Sequence, residues 1–75
     1  MIFYNKLWYL LIKKNMNKTT LCEKTKISSS TMAKMSKNEM VELHVLYRIC
    51  DVLNCDIGDI VSFYPDREEQ KNEEH

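Results

Sequence analysis

Glycine and proline are almost missing from this chain: Gly58 and Pro65 are the sole examples in 75 residues. A single glycine excludes a Gly-rich loop wrapped around a phosphate, which needs several positions without a Cβ. No β-type alternation runs through the chain either. The composition therefore argues for helices joined by short connections. No run approaches the length of a membrane span. The opening Met1 to Tyr4 lacks the basic and long apolar segments of a secretory leader. Neither a signal peptide nor membrane association is expected.

Cysteine is scarce and odd in number: Cys22, Cys50 and Cys55. Irregular spacing and an odd count do not make a disulfide framework. Each cysteine falls in an apolar pattern, where a reduced thiol behaves as a small hydrophobe. That usage points to a reducing, cytoplasmic setting. His44, Cys50 and Cys55 match no common zinc spacing. His44 and His75 stand alone, and no Ser-His-Asp set is suggested. Asp56 and Asp59 are spaced as a helix cap and its reciprocal acid. No enzyme, metal or cofactor is expected.

The absence of net charge conceals a strong segregation. Residues 1–38 carry eight lysines (6, 13, 14, 18, 24, 26, 34 and 37) against Glu23 alone. Residues 39–75 carry Arg48, Arg67 and Lys71 against ten acids. The first half is thus +7 and the second −7. A local positive field attracts phosphates even when the whole chain is neutral.

What is present is helical periodicity in one small domain, expected over residues 1–65. Such a length lies near the lower limit for independent folding, so dimerisation would add stability. Leu7, Leu10, Leu11 and Met16 predict a first helix over residues 4–15. Asn17 is an N-cap for a second over 18–25, buried through Leu21 and Cys22, with Thr25 near its end. Ile27 plugs the turn that follows. Ser28 caps a third helix over 29–36, with Met32 and Met35 inward and Ala33 allowing close approach. Asn38 suits a left-handed exit. Leu43, Leu46, Ile49, Cys50 and Leu53 form the inward stripe of a fourth helix over 42–53. Asp56 and Asp59 start a short fifth helix, and Ile57, Ile60 and Val61 close the core. Residues 66–75 are highly charged, with nothing to bury, and are expected to be a disordered tail.

The stretch from Leu21 to Met35 reads as a helix-turn-helix. Its second helix carries small polar residues and a lysine opposite its apolar face. The combined segments Leu21-Cys22-Glu23-Lys24, Ile27-Ser28-Ser29-Ser30-Thr31-Met32, Leu46-Tyr47-Arg48-Ile49-Cys50 and Leu53-Asn54-Cys55-Asp56-Ile57-Gly58-Asp59-Ile60 resemble the Cro/C1-type repressors, the XRE family of bacterial and phage transcription regulators. The resemblance runs from Leu7 to Val61. It implies an all-α, compact five-helix domain that binds double-stranded DNA, as a homodimer on an inverted repeat.

In such a domain the second helix of the motif is the reader, and its N-terminal residues reach base edges. Ser29, Ser30, Thr31 and Lys34 are the base-contacting candidates. Hydroxyls can donate or accept, the threonine methyl can pack on thymine, and lysine donates to guanine acceptors. Phosphate candidates are Lys18 at the start of the second helix, Lys26 in the turn, Ser28, Lys37 and Asn38. The resemblance places a phosphate-contacting loop at the last two. Three departures stand out. Lys26 occupies a turn position where many relatives have glycine. Leu11 and Ser36 stand where many relatives pair an arginine with a glutamate. The reading helix has no long glutamine or arginine, so specificity would rest on few contacts, on DNA shape or on the dimer.

Both ends are more apolar than a minimal core requires: Met1-Ile2-Phe3-Tyr4 and Val61-Ser62-Phe63-Tyr64. They are expected to pair as short strands, within one chain or across a dimer. The rival expectation is that Phe3 and Phe63 pad the core. Trp8 lies off the main stripe and is expected to pack against these ends rather than to bind. A function of a different class follows from the same residues. Exposed Phe3, Trp8, Phe63 and Tyr64 would suit a small protein partner, as in an antitoxin-like module.

Overall fold

The computed structural model describes residues 1–64. The charged tail expected from residue 66 lies outside them. In order, the chain forms strand β1 (Ile2–Phe3), helices α1 (Asn5–Lys13), α2 (Lys18–Thr25), α3 (Ser29–Ser36) and α4 (Leu43–Leu53), one 3-10 turn (Ile57–Asp59) and strand β2 (Ser62–Phe63). The helices pack through one core. Leu7 and Leu11 of α1, Leu21 of α2, Met32 and Met35 of α3, and Leu46, Ile49 and Leu53 of α4 are all buried in it. Burying each such side chain contributes about 1.5–3 kcal/mol before entropy is counted.

The expected fifth helix is a single 3-10 turn. Its cap is real: the Asp56 side chain accepts from the Ile57 amide at 2.8 Å, and Asp59 Oδ2 accepts from the Asp56 amide at 3.0 Å. The turn stops there because Val61 leads directly into β2, which leaves no length for a second turn. Ile60 and Val61 close the core as expected, but Ile57 is 41% exposed. Leu43 also departs from its expected inward position and is 75% exposed. It is the first residue of α4, since Glu42 is the N-cap. The first helix is likewise shorter than expected, because Tyr4 is its cap and not its first turn.

With almost no glycine, the chain ends its helices on other residues in the left-handed region. Asn15, Lys26, Asn38 and Asn54 have φ of 58°, 63°, 60° and 55° and follow α1, α2, α3 and α4 in turn. Asparagine tolerates this conformation because its short amide can bond locally. After α3, the Glu39 amide donates to the Lys34 carbonyl at 2.9 Å and the Asn38 amide to the Met35 carbonyl at 3.0 Å. This is the Schellman pattern, which satisfies carbonyls a helix end leaves free. Met16 and Asn15 repeat it after α1 with the Leu11 and Ile12 carbonyls.

The two ends pair within one chain. β1 and β2 are antiparallel, with Ile2 opposite Phe63 and Phe3 opposite Ser62. The Met1 ammonium donates to the Tyr64 carbonyl at 2.6 Å, and the Tyr64 amide returns a bond to the Met1 carbonyl at 2.9 Å. Phe63 does not pad the core: it is 69% exposed. Ile2 and Tyr4 fill that place, and the Tyr4 hydroxyl donates to the Glu39 carbonyl at 2.7 Å. Phe3 is half-buried and meets the Tyr64 ring edge-on at 5.4 Å. Trp8 is half-buried too, tilted against the Tyr4 ring at 6.5 Å.

Candidate nucleic-acid interface

Two caps set the motif. Asn17 Oδ1 accepts from the Thr20 amide at 2.8 Å and starts α2. Ser28 Oγ accepts from the Thr31 amide at 3.2 Å and starts α3. Between them the chain reverses at Lys26, whose amide donates to the Cys22 carbonyl at 2.8 Å. Ile27 is buried beneath the turn. Thr25, also buried, spends its hydroxyl on the Leu21 carbonyl at 2.7 Å, so no polar group is stranded there. Met32 and Met35 anchor α3 in the core and fix which of its faces is free.

That free face carries Ser29, Ser30, Ala33, Lys34 and Lys37, all exposed. The spacing i, i+1, i+4, i+5, i+8 is one side of a helix. Ser29, Ser30 and Lys34 were expected there. Ala33 was expected at a close packing contact, yet it sits in the middle of the outward face. Its spacing from Ser29 and Ser30 is the signal that places it. A methyl group at this point leaves room for a close approach and matches the thymine methyl.

Thr31 is half-buried and looks back toward the cap. Ser28 Oγ lies 3.1 Å from Ser30 Oγ and donates to Thr31 Oγ1 at 3.0 Å. With the Thr31 amide also bonded to it, the Ser28 hydroxyl has its donor and both acceptor positions engaged. Ser28 is thus a cap first, with its hydroxyl committed inside the motif.

Lys18, Lys26 and Lys37 flank α3, whereas Lys6 donates to the Gly58 carbonyl at 3.1 Å and lines a groove with Lys13, Cys55 and Asp59. All eight lysines of residues 1–38 are exposed. Lys26 stands in the turn before α3, and Lys37 and Asn38 form its exit. Lys18, at the start of α2, is held in place from two sides. Its ammonium donates to Ser36 Oγ at 2.8 Å and lies over the Trp8 ring, 4.2 Å from the centroid. Ser36 therefore has a partner without the glutamate and arginine of many relatives.

The cysteines take no part in this surface. Burial raises the pKa of Cys22, and that of Cys50 to about 11, where the neighbouring Cys55 thiol and Asp56 and Asp59 add to the shift. Such thiols stay protonated and unreactive near neutral pH. No helix among the described residues is long and apolar enough to cross a membrane.

Residues 6–66 match the family model of the Cro/C1-type HTH DNA-binding domain. The chain is also similar to a solved crystal structure of the transcriptional regulator VanUg, Form II. The two share 52% sequence identity over 87% of each chain, with a TM-score of 0.83. No curated protein gives a significant match. With its capped α2 and α3, its outward polar face and these two likenesses, the chain belongs to the Cro/C1-type helix-turn-helix family of DNA-binding domains.

Proposed function

We propose that this DNA-binding regulator is a repressor that lays α3 in the major groove, as a dimer on an inverted repeat. One observation carries the reading. The free face of α3 holds only short or flexible side chains, while lysines stand before it at Lys18 and Lys26 and after it at Lys37. Ser29, Ser30 and Lys34 are its base contacts, with Ala33 added as an apolar one; Thr31, turned toward the Ser28 cap, supports the helix start instead. Lys18, Lys26, Lys37 and Asn38 contact phosphates and fix the register. Ser28 contributes through the helix end that it caps. Two half-sites would lie about one helical turn, ~34 Å, apart.

The apolar ends support the dimer. Met1, Ile2, Met40, Phe63 and Tyr64 line a groove of about 640 Å³ beside the exit of α3. Met1, Met40 and Phe63 are each about 70% exposed (71%, 68% and 69%). Asn38 and Glu39 line the same groove, so a second copy seated there leaves Ser29, Ser30, Ala33 and Lys34 free but shares Asn38 with the phosphate contacts. The same groove supports the alternative of a small protein partner, although Phe3 and Trp8 are too covered to contribute much.

Selection from a random duplex library at low and raised salt tests the reading. Enrichment of a palindrome, lost with Lys34→Ala, is the expected result. Each phosphate contact removed should lower the slope of log K against log salt by about 0.9. No enriched sequence, with binding unchanged in Lys18→Ala/Lys34→Ala, would refute DNA reading. A monomer at every concentration by sedimentation would refute the dimer.

A further inference from the structure

We propose that Trp8 is a positioning residue for DNA binding. Its ring, with the Ser36 hydroxyl, seats the Lys18 ammonium where it meets a backbone phosphate. The inference rests on the DNA-binding reading above and deepens it.

Three helices converge on one ammonium. Trp8 comes from α1, Lys18 from α2 and Ser36 from α3. The ring is itself held: Trp8 is half-buried and backed by Tyr4, which is fully buried and bonded through its hydroxyl to the Glu39 carbonyl. An aromatic face attracts a cation through its quadrupole and uses none of the cation's donors. An ammonium has three N–H donors. Lys18 spends one on Ser36 Oγ at 2.8 Å and lies 4.2 Å over the ring centroid. It remains exposed, so a donor is left for a phosphate oxygen. A free lysine must give up the rotamer freedom of four methylenes when it binds, and a seated one has already done so. The seat also ties the ammonium to the last turn of α3, so Lys18 and the reading face move as one body.

A double-mutant cycle tests this on the full chain, with a labelled mixed-sequence duplex at low salt, because phosphate contacts carry no sequence information. Trp8→Leu should weaken binding about two- to fivefold, the range of an exposed cation–π contact. Trp8→Phe, which keeps a ring, should recover most of that loss. In a Lys18→Ala background Trp8→Leu should have no further effect. A merely structural role for Trp8 would instead cost the same in both backgrounds, and that result overturns the proposal. If Trp8→Leu does not fold, Ser36→Ala removes the other half of the seat. The same cycle then applies: a loss confined to the Lys18 background supports the seat, and an equal loss in both backgrounds overturns it. If the wild type binds no duplex at all, the DNA-binding reading fails and takes this inference with it. If Lys18→Ala weakens wild-type binding but neither cycle shows coupling, only the positioning role is lost.

Discussion

Lys26→Gly should make the domain more stable and its DNA binding weaker. Lys26 ends α2 at φ 63° and ψ 31°, in the left-handed region. That conformation crowds the Cβ of an L-residue against the following carbonyl and costs about 1–2 kcal/mol. Glycine has no such cost but loses more chain freedom on folding, about 0.5–1 kcal/mol relative to alanine. The difference spans about 0–1.5 kcal/mol, with a central value of about 0.75 kcal/mol in favour of glycine. In a domain of this size, 1 kcal/mol shifts Tm by roughly 4–8 °C. At the central value the variant should therefore melt about 3–6 °C higher. The side chain is exposed and stands between α2 and α3, so under the proposed DNA-binding reading its removal also takes away a phosphate contact. The salt slope should fall by about 0.9. Lys26→Ala separates the two effects: it keeps the strain and loses the charge, so it should bind like Lys26→Gly yet melt like the wild type. Thermal melts followed by circular dichroism, with fluorescence anisotropy over a salt series, measure both. If Lys26→Gly melts no higher than Lys26→Ala, the backbone-strain argument is wrong.

Further outcomes follow from the caps and the thiols. Ser28→Ala removes the acceptor for the Thr31 amide and should cost about 1 kcal/mol; an unchanged urea midpoint would show that the cap adds nothing. Stability should decline as pH rises from about 9 to about 11. Over that window the Cys50 thiol, raised to about 11 by burial, keeps its proton in the folded chain and loses it in the unfolded one. Below about pH 9 this contribution is fully present. The drop in urea midpoint between about pH 8 and about pH 10.5 should be smaller in Cys50→Ala, and an equal drop in both would exclude the thiol as its source.

The caps were readable because their chemistry is local. Asn17 and Ser28 each precede a helix by one residue, and each accepts from an amide three residues on. Asn38 was readable as a left-handed exit for the same reason. Asn15 and Asn54 do the same, but an asparagine at a helix end looks no different from one on a solvated surface. The 3-10 turn shows the limit of periodicity. Ile57, Ile60 and Val61 repeat at helical spacing, yet only the start of β2 decides that a single turn fits. Leu43 and Ile57 were expected inward because a stripe says which residues are apolar, not how far the core extends. The outward face of α3 was mostly legible, since Met32 and Met35 fix it by elimination. The seat under Lys18 was not. It joins residues 8, 18 and 36 from three helices, and no local pattern links them.

The ribbon that joins the two ends has a consequence for the order of folding. Its strands are two residues each, far too short to hold together alone. Met1 and Tyr64 must find each other across 63 positions of chain, and that entropy is met only after local contacts have shortened the path. The helices and their caps form from neighbours, so they come first. The ribbon should therefore close last and open first. It seals Ile2 and Tyr4 over a core that is already built, and the amide of Tyr64 should exchange with solvent well before that of Leu21.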